Sequence, residues 1–129
     1  MIARRTERRT LRVLAVDDEP ALGKVVSRLL AVDGHTVVVA RSTQEAIEEL
    51  AQERFDVVLS DLGLGPGAET GGWDLAAHVA EHFPGTRFVL ATGWGPQIDP
   101  KTAAARGVHA IVSKPYKLNE LRDIVASGS

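Results

Sequence analysis

Five short apolar runs alternate with five segments of helical periodicity along the chain, and this alternation constrains the fold more than any other feature. The apolar runs cover residues 11–16, 36–40, 55–60, 87–91 and 110–113. They are rich in Val, Leu and Ile and mostly lack polar alternation, which is typical of strands covered on both faces of a parallel sheet. The pattern predicts an α/β fold, a doubly wound five-stranded parallel sheet with helices on both faces.

The predicted helices cover residues 20–32, 43–54, 73–83, 99–106 and 118–126. Local signals support several of their ends. Ser42 and Glu45 have the spacing of a capping box at the start of the second helix. Gly34 and Gly107 follow the first and fourth helices, where a left-handed residue often ends a helix.

The size and composition of the chain indicate one compact domain. It has 129 residues and a mass of 13.8 kDa, and it contains no cysteine, which excludes disulfides, thiolate zinc sites and cysteine nucleophiles. The apolar runs are far shorter than the ~20 residues of a membrane-spanning helix, and no secretory signal is evident. We therefore expect a cytoplasmic domain without membrane insertion.

Charge is distributed unevenly. Residues 1–12 hold five arginines and one glutamate, a net charge of +4, so the rest of the chain carries −6 of the total of −2. We interpret residues 1–10 as a basic tail, 11–126 as the folded domain and 127–129 as a short C-terminal tail. Because no basic face with interspersed aromatic residues follows, we expect no direct contact with nucleic acid.

Acidic, hydroxyl and ammonium side chains follow four of the predicted strands. These are Asp17 and Asp18 after the first strand, Asp61 after the third, Thr92 after the fourth and Lys114 after the fifth. Ligands of open α/β sheets bind at the carboxyl ends of the strands. Carboxylates gathered there repel one another unless a cation neutralises them, and an all-oxygen site suits Mg²⁺. This set of groups favours phosphoryl transfer with an aspartate nucleophile.

Four motifs, taken together, resemble the receiver domain of two-component response regulators. They are LAVDDEP at 14–20, VVLSDL at 57–62, ATG at 91–93 and VSKPY at 112–116. The resemblance covers residues 11–126. It implies a flavodoxin-like sheet of strand order 2-1-3-4-5 and a Lys114–Pro115 bond that is commonly cis in the family.

The resemblance also implies a role for each site residue. Asp61 corresponds to the phosphoacceptor, and Thr92 and Lys114 would bind phosphoryl oxygens. The implied Mg²⁺ ligands are Asp18 and Asp61 directly, Asp17 through water, and the backbone carbonyl of Gly63. The phosphoryl donor would be the phosphohistidine of a histidine kinase or of a histidine phosphotransfer domain.

The resemblance implies a signalling switch that phosphorylates and dephosphorylates itself rather than a turnover enzyme. Its signal would pass to a downstream protein partner, either from a single-domain regulator or from the receiver part of a hybrid histidine kinase. Two alternatives stay open. One is a metal-dependent phosphohydrolase with an aspartyl nucleophile, and the other is a pseudo-receiver that binds partners without phosphorylation.

The sequence departs from the family pattern in three places. Ile111 replaces the usual aromatic residue three positions before the lysine. The segment 62–72 is long and glycine-rich, so we expect a mobile loop. Gly63 and Trp94 stand where side chains tune the lifetime of the phosphoryl group, which predicts a long-lived phosphorylated state. Because Ile111 replaces the aromatic residue, we expect the signal to pass through a rearrangement of the loop around Trp94 and Gly95.

Two further patterns have ordinary explanations. The glycine-rich segment 63–67 does not lead directly into a helix, which argues against a nucleotide-binding loop. Asp74, His78 and His82 recur every four residues, but the first and last are ~12 Å apart along a helix and cannot share one ion. A polar helix edge is favoured, and a His78–His82 metal pair stays open.

Overall fold

A computed structural model describes residues 10–62, 71–93 and 98–126. Its strands are β1 (Arg12–Val16), β2 (Thr36–Ala40), β3 (Val57–Asp61), β4 (Arg87–Thr92) and β5 (Ala110–Ser113). Its helices are α1 (Pro20–Val32), α2 (Thr43–Gln52), α3 (Gly71–His82), α4 (Pro100–Ala105) and α5 (Leu118–Ala126). Within these described ranges no helix combines the length and the apolar character needed to cross a bilayer.

The five strands form one parallel sheet in the order β2-β1-β3-β4-β5. The strand order reverses between β1 and β3, because the chain first builds outward from β1 to β2 and then crosses back. This arrangement confirms the predicted doubly wound fold and its strand order. Reversal points of this kind create a crevice at the carboxyl ends of the central strands.

Alternate residues of each central strand point to opposite faces of the sheet, and both faces are covered. On one face Leu14, Val58 and Leu90 join a buried cluster with residues of α2, α3 and α4. On the other face Val13 and Val57 join a second cluster with residues of α1 and α5. Burial on both faces explains why the strands appear in the sequence as continuous apolar runs.

Strand β3 covers residues 57–61 rather than the predicted 55–60, and the hydrogen bonds at its two ends explain the difference. The carbonyl of Phe55 accepts a 2.7 Å hydrogen bond from the Thr86 hydroxyl, so a side chain takes the place of a ladder partner there. At the other end Asp61 pairs with Ala91 and is the last residue of the strand. The other predicted boundaries differ from the observed ones by two residues or fewer.

The predicted helix-end signals are present, although Glu45 reaches the amide of Arg41 rather than the Ser42 amide of a standard capping box. The Ser42 hydroxyl accepts a 3.1 Å hydrogen bond from the Glu45 amide, and the Glu45 carboxylate accepts one from the amide of Arg41. Gly34 and Gly107 have φ angles of +88° and +93°, which a residue with a Cβ rarely adopts. Each glycine ends its helix and turns the chain into the following strand.

Candidate functional site

The register of β1 and β3 brings the first aspartate beside the third. Val16, the last residue of β1, pairs with Ser60, so Asp17 follows β1 at the level where Asp61 ends β3. The Asp17 amide donates a 3.0 Å hydrogen bond to the carbonyl of Ala40, which extends the pairing with β2 by one residue. The backbone of the sheet therefore fixes the position of Asp17.

Asp17, Asp18 and Asp61 form a cluster, called the Asp cluster below. One carboxylate oxygen from each lies within 4.8 Å of the others. Asp17 is buried, Asp61 is partly buried and Asp18 is exposed. Two carboxylates at this distance repel by about 3–4 kcal/mol at an effective dielectric constant near 20. The cluster is therefore a site that could hold a metal ion, with Asp18 on the side open to solvent.

Lys114 supplies the positive charge nearest to the Asp cluster among the described ion pairs. Its Nζ atom lies 3.0 Å from Asp17 Oδ2 and 3.3 Å from Asp61 Oδ1. Burial alone would lower the pKa of Lys114, but the hydrogen bond that Lys114 donates to Asp17 and the charges of both aspartates outweigh it and raise the pKa. Lys114 therefore remains an ammonium group that holds the two carboxylates in place.

The pKa of Asp61 is raised above its usual value. Burial is the largest cause and the charge of Asp17 adds to it, while Lys114 acts in the opposite direction. A carboxylate in this setting is poorly neutralised by its surroundings. A nearby cation would stabilise the charged form of Asp61, as is expected of a residue that binds a metal ion.

Thr92 lies at the carboxyl end of β4, between Asp61 and Lys114 in the order of the strands. It is buried, and its carbonyl accepts a 3.0 Å hydrogen bond from the Lys114 amide. The Lys114–Pro115 peptide bond that follows is cis. The structure thus brings Asp17, Asp18, Asp61, Thr92 and Lys114 to one edge of the sheet.

The remaining site residues of the sequence analysis lie outside the described residues. These are Gly63, with its predicted carbonyl ligand, Trp94 and Gly95. The predicted mobile loop also falls largely in the segment 63–70, which the structure does not describe.

Gly72, in the first turn of α3, was missed in the sequence analysis as a residue that positions the site. A Cβ atom built on Gly72 would lie 2.7 Å from the carbonyl oxygen of Asp61 and 2.8 Å from the Cα of Leu62. The Gly72 amide donates a 2.8 Å hydrogen bond to the carbonyl of Leu62. Helix α3 therefore packs directly on the backbone that carries Asp61, and only glycine fits at the contact. No signal for this contact is evident in the sequence, because the predicted helix begins at residue 73 and Gly72 falls in the glycine-rich loop, whereas the observed helix starts at Gly71.

Tyr116 was also missed, and it lies beside the charged residues of the site. Burial, followed by the charges of Asp17 and Asp61, raises its pKa to about 12, while Lys114 acts to lower it. The Tyr116 ring packs against the cluster of buried residues beneath α1 and α5. The pKa of the Tyr116 hydroxyl therefore depends on the charges of the site.

Three residues in or near the site also have structural roles. Asp17 Oδ1 accepts a 2.9 Å hydrogen bond from the Glu19 amide, so Asp17 also shapes the turn into α1. Trp73 packs against the core with the guanidinium carbon of Arg106 4.2 Å above its ring centroid. Ile111 packs against the same buried cluster, at the place where the family has an aromatic residue.

The sequence model of the response regulator receiver domain family matches residues 13–126, so the chain belongs to this family. It is 34% identical over 109 residues to the transcriptional regulatory protein GlrR of Escherichia coli K12, covering 84% of this chain and 24% of that protein. It is 32% identical over 116 residues to the response regulator PilR of Pseudomonas aeruginosa PAO1, covering 90% of this chain and 25% of that protein. The chain thus spans about a quarter of the length of these relatives.

The fold is also similar to that of solved receiver domains. The chemotaxis response regulator CheY4 of Vibrio cholerae superimposes with a TM-score of 0.80 at 24% identity, covering 94% of this chain and all of that one. The family and the Asp cluster are consistent with phosphorylation-dependent signalling. The phosphohydrolase alternative is not favoured, because it leaves Asp61 idle whereas Asp61 lies within the cluster.

Proposed function

We propose that this domain is a phosphorylation-controlled switch in which Asp61 accepts a phosphoryl group from a phosphohistidine, with Mg²⁺ held by the Asp cluster. The observation that carries the proposal is the convergence of Asp17 and Asp61 on Lys114 at distances of 3.0 and 3.3 Å. The proposal covers this domain, and the output of any larger protein would depend on other segments.

The charges of the cluster support a divalent cation. Three carboxylates and one ammonium leave two negative charges, which match one Mg²⁺ ion, and carboxylate oxygens are its preferred protein ligands. Asp18 and Asp61 would bind the ion directly and Asp17 through water. When bound, Mg²⁺ neutralises the charge of the incoming phosphoryl oxygens.

The side chains divide the remaining work. An Asp61 carboxylate oxygen attacks phosphorus in line, so that a P–O bond forms while the P–N bond of the donor phosphohistidine breaks. The leaving imidazole takes up a proton from solvent. Lys114 turns from Asp17 toward a phosphoryl oxygen, and the Thr92 hydroxyl donates to another. Positioning and charge neutralisation provide most of the catalysis in this class of reaction.

The surface beside the site supports the approach of a protein donor. A shallow cavity of about 340 Å³ is lined by Leu22 of α1 and by Lys114, Pro115 and Tyr116. Nearby Val25 of α1 is 48% exposed. Apolar groups next to a charged site suit a partner whose histidine must reach Asp61 while the contact excludes water.

Transmission of the signal would pass through β5. Lys114 directly follows β5 and its amide bonds to the end of β4, so a movement of Lys114 displaces both strand ends. Ile111 of β5 lines a cavity of about 260 Å³ together with residues of α4. We expect phosphorylation to shift the balance between two conformations of the face formed by α4, β5 and α5, where a downstream protein would bind.

Intact-mass spectrometry after incubation with acetyl phosphate and Mg²⁺ tests this proposal. We expect the wild type to gain one phosphoryl group and Asp61→Asn to gain none. Asp56→Asn is the matched control, because Asp56 lies just before the opposite end of the same strand, and it should be phosphorylated like the wild type. Removal of Mg²⁺ with EDTA should abolish labelling. Equal labelling of Asp61→Asn, or labelling independent of Mg²⁺, would contradict the proposal.

A further inference from the structure

Helix α3 carries two imidazoles and a carboxylate near its carboxyl end, away from the Asp cluster. His78 and His82 are four residues apart, and their ring centroids lie 4.6 Å from each other. Glu81 stands between them in the sequence, with its Oε1 atom 3.8 Å from His82 Nε2. From this geometry we infer that His78 and His82 form a surface binding site for a divalent transition-metal ion of the Zn²⁺ class, with the Glu81 carboxylate beside it.

The distance between the two rings fits a shared ion. With a Zn–N bond of about 2.0–2.1 Å, two imidazoles on one tetrahedral zinc ion have centroids about 5 Å apart. The observed 4.6 Å is within about half an ångström of that value, so the two rings are close enough to share one ion. Paired histidines at this helical spacing are an established zinc-binding arrangement.

The surroundings of the pair hold it in place and leave it open to solvent. The ring of Phe83, which packs against the core, lies 6.1 Å from the His78 ring and 6.4 Å from the His82 ring. Side chains of His82 and Glu81 are 54% and 74% exposed. An ion can therefore enter from solvent while one side of the site is braced by the core.

Electrostatics also favours a cation at this position. His82 is the last residue of α3, so the ion would sit at the carboxyl end of the helix, where the helix dipole attracts positive charge. Glu81 adds a formal negative charge. Imidazole and carboxylate together suit Zn²⁺, whereas the all-oxygen Asp cluster suits Mg²⁺, so the two sites would select different metals.

Titration of the full chain with ZnCl₂ in saturating Mg²⁺ tests the inference. Zinc binding is measured by calorimetry and by NMR of the imidazole CH signals. We expect one zinc ion per chain and shifts of the His78 and His82 signals, with the signals of His35 and His109 unchanged. His82→Gln should weaken zinc binding at least tenfold and Glu81→Gln several-fold. His82 is exposed, so its substitution should leave the circular dichroism spectrum unchanged.

Two control variants make the test specific. Asp74→Asn, one turn before His78 on the same helix, should keep full zinc affinity. Asp18→Asn, which weakens the Asp cluster, should also keep it. Zinc binding that disappears in either control, or that persists unchanged in His82→Gln, would overturn the inference. Unchanged NMR signals of His78 and His82 in excess zinc would also overturn it. None of these readouts depends on phosphorylation of Asp61.

Discussion

The two ends of the parallel sheet use polar side chains in opposite ways. At the amino ends of the strands, side chains bond to the backbone. The His35 and Asp56 side chains accept hydrogen bonds of 3.0 and 2.9 Å from the amides of Leu11 and Arg12, and the Thr86 hydroxyl donates to a carbonyl. At the carboxyl ends, Asp17, Asp61 and Lys114 face one another, although Asp17 also accepts a hydrogen bond from the Glu19 amide.

The difference separates stability from function. A side chain bonded to a neighbouring backbone group satisfies that group and leaves little capacity for a ligand. Like charges held together cost free energy, and that cost is recovered when a cation or a phosphoryl group arrives. We therefore expect substitutions at the amino ends to affect folding alone and substitutions at the carboxyl ends to change ion binding as well.

Gly72→Ala should have the largest effect, because it disturbs both folding and the site. A Cβ atom would overlap the backbone of Asp61 and Leu62, so α3 or the end of β3 must move. We expect a loss of about 1–3 kcal/mol in the free energy of unfolding, together with weaker Mg²⁺ binding. Denaturant unfolding and Mg²⁺ titration measure the two effects.

Gly85→Ala is the control for this variant, since a Cβ atom at Gly85 would meet no atom within 4 Å. Its free energy of unfolding should stay within about 0.5 kcal/mol of the wild type. An alanine in a helix is normally favoured over glycine by about 0.5–1 kcal/mol. Stabilisation by Gly72→Ala would therefore show that the close contact of α3 with β3 is wrong.

Lys114→Met tests the charge balance at the carboxyl ends. It removes the partner of Asp17 and Asp61, so without metal the fold should lose about 1–3 kcal/mol. Mg²⁺ should bind on the order of tenfold more tightly, because a neighbouring positive charge is gone, and should restore much of the stability. Lys117→Met, an exposed lysine three residues further on, should change neither quantity. Unchanged Mg²⁺ affinity in Lys114→Met would contradict this account.

Thr86→Val tests the amino ends. The substitution keeps the shape of a buried side chain but leaves the carbonyl of Phe55 without its donor, at a cost of about 1–3 kcal/mol. Phosphorylation of the folded protein by acetyl phosphate should stay at the wild-type level. Thr86→Ser keeps the hydroxyl and should cost only about 0.8 kcal/mol for the lost methyl group. A Thr86→Val protein that folds normally but phosphorylates slowly would break the separation between the two ends.

The carboxyl-end site could be predicted from the sequence because parallel strands share a direction. Once five apolar runs are read as parallel strands, the residues after them must meet at one edge, and Asp17, Asp61 and Lys114 do so. The amino-end contacts could not be predicted in this way. His35 and Thr86 bond to backbone groups 24 and 31 residues away, and such pairs depend on strand register and on the path of each turn.

Gly72 shows a second limit of sequence reasoning. Its importance comes from the distance between a helix and a strand, which no local pattern encodes. The sequence pattern places Gly72 in a loop before the helix, and only the observed helix Gly71–His82 brings it against the end of β3. The ion pair between Asp33 at the end of α1 and Arg122 of α5 is of the same kind, since it joins residues 89 positions apart.

Tyr116 is the only tyrosine in the sequence, so its ionisation gives a small but direct measure of charge at the carboxyl ends. We expect the ultraviolet absorbance of phenolate to appear with a pKa of about 12 in the folded protein, above the usual 10.0. Because Asp17 and Asp61 contribute to this increase, Mg²⁺ in the Asp cluster should lower the pKa, and Lys114→Met without metal should raise it.

The raised pKa of Tyr116 also makes the stability of the fold decrease at alkaline pH. The folded state holds the Tyr116 proton more tightly than the unfolded state, so this contribution to stability is complete below pH 10 and is lost as the pH rises toward 12. Circular dichroism at each pH identifies the range in which the protein is still folded, since an unfolded chain would titrate near 10. A folded protein with an ordinary tyrosine pKa, insensitive to Mg²⁺, would show that the charge of the Asp cluster does not reach Tyr116. In that case the Lys114→Met variant would be the remaining test of how charge acts at the carboxyl ends of the strands.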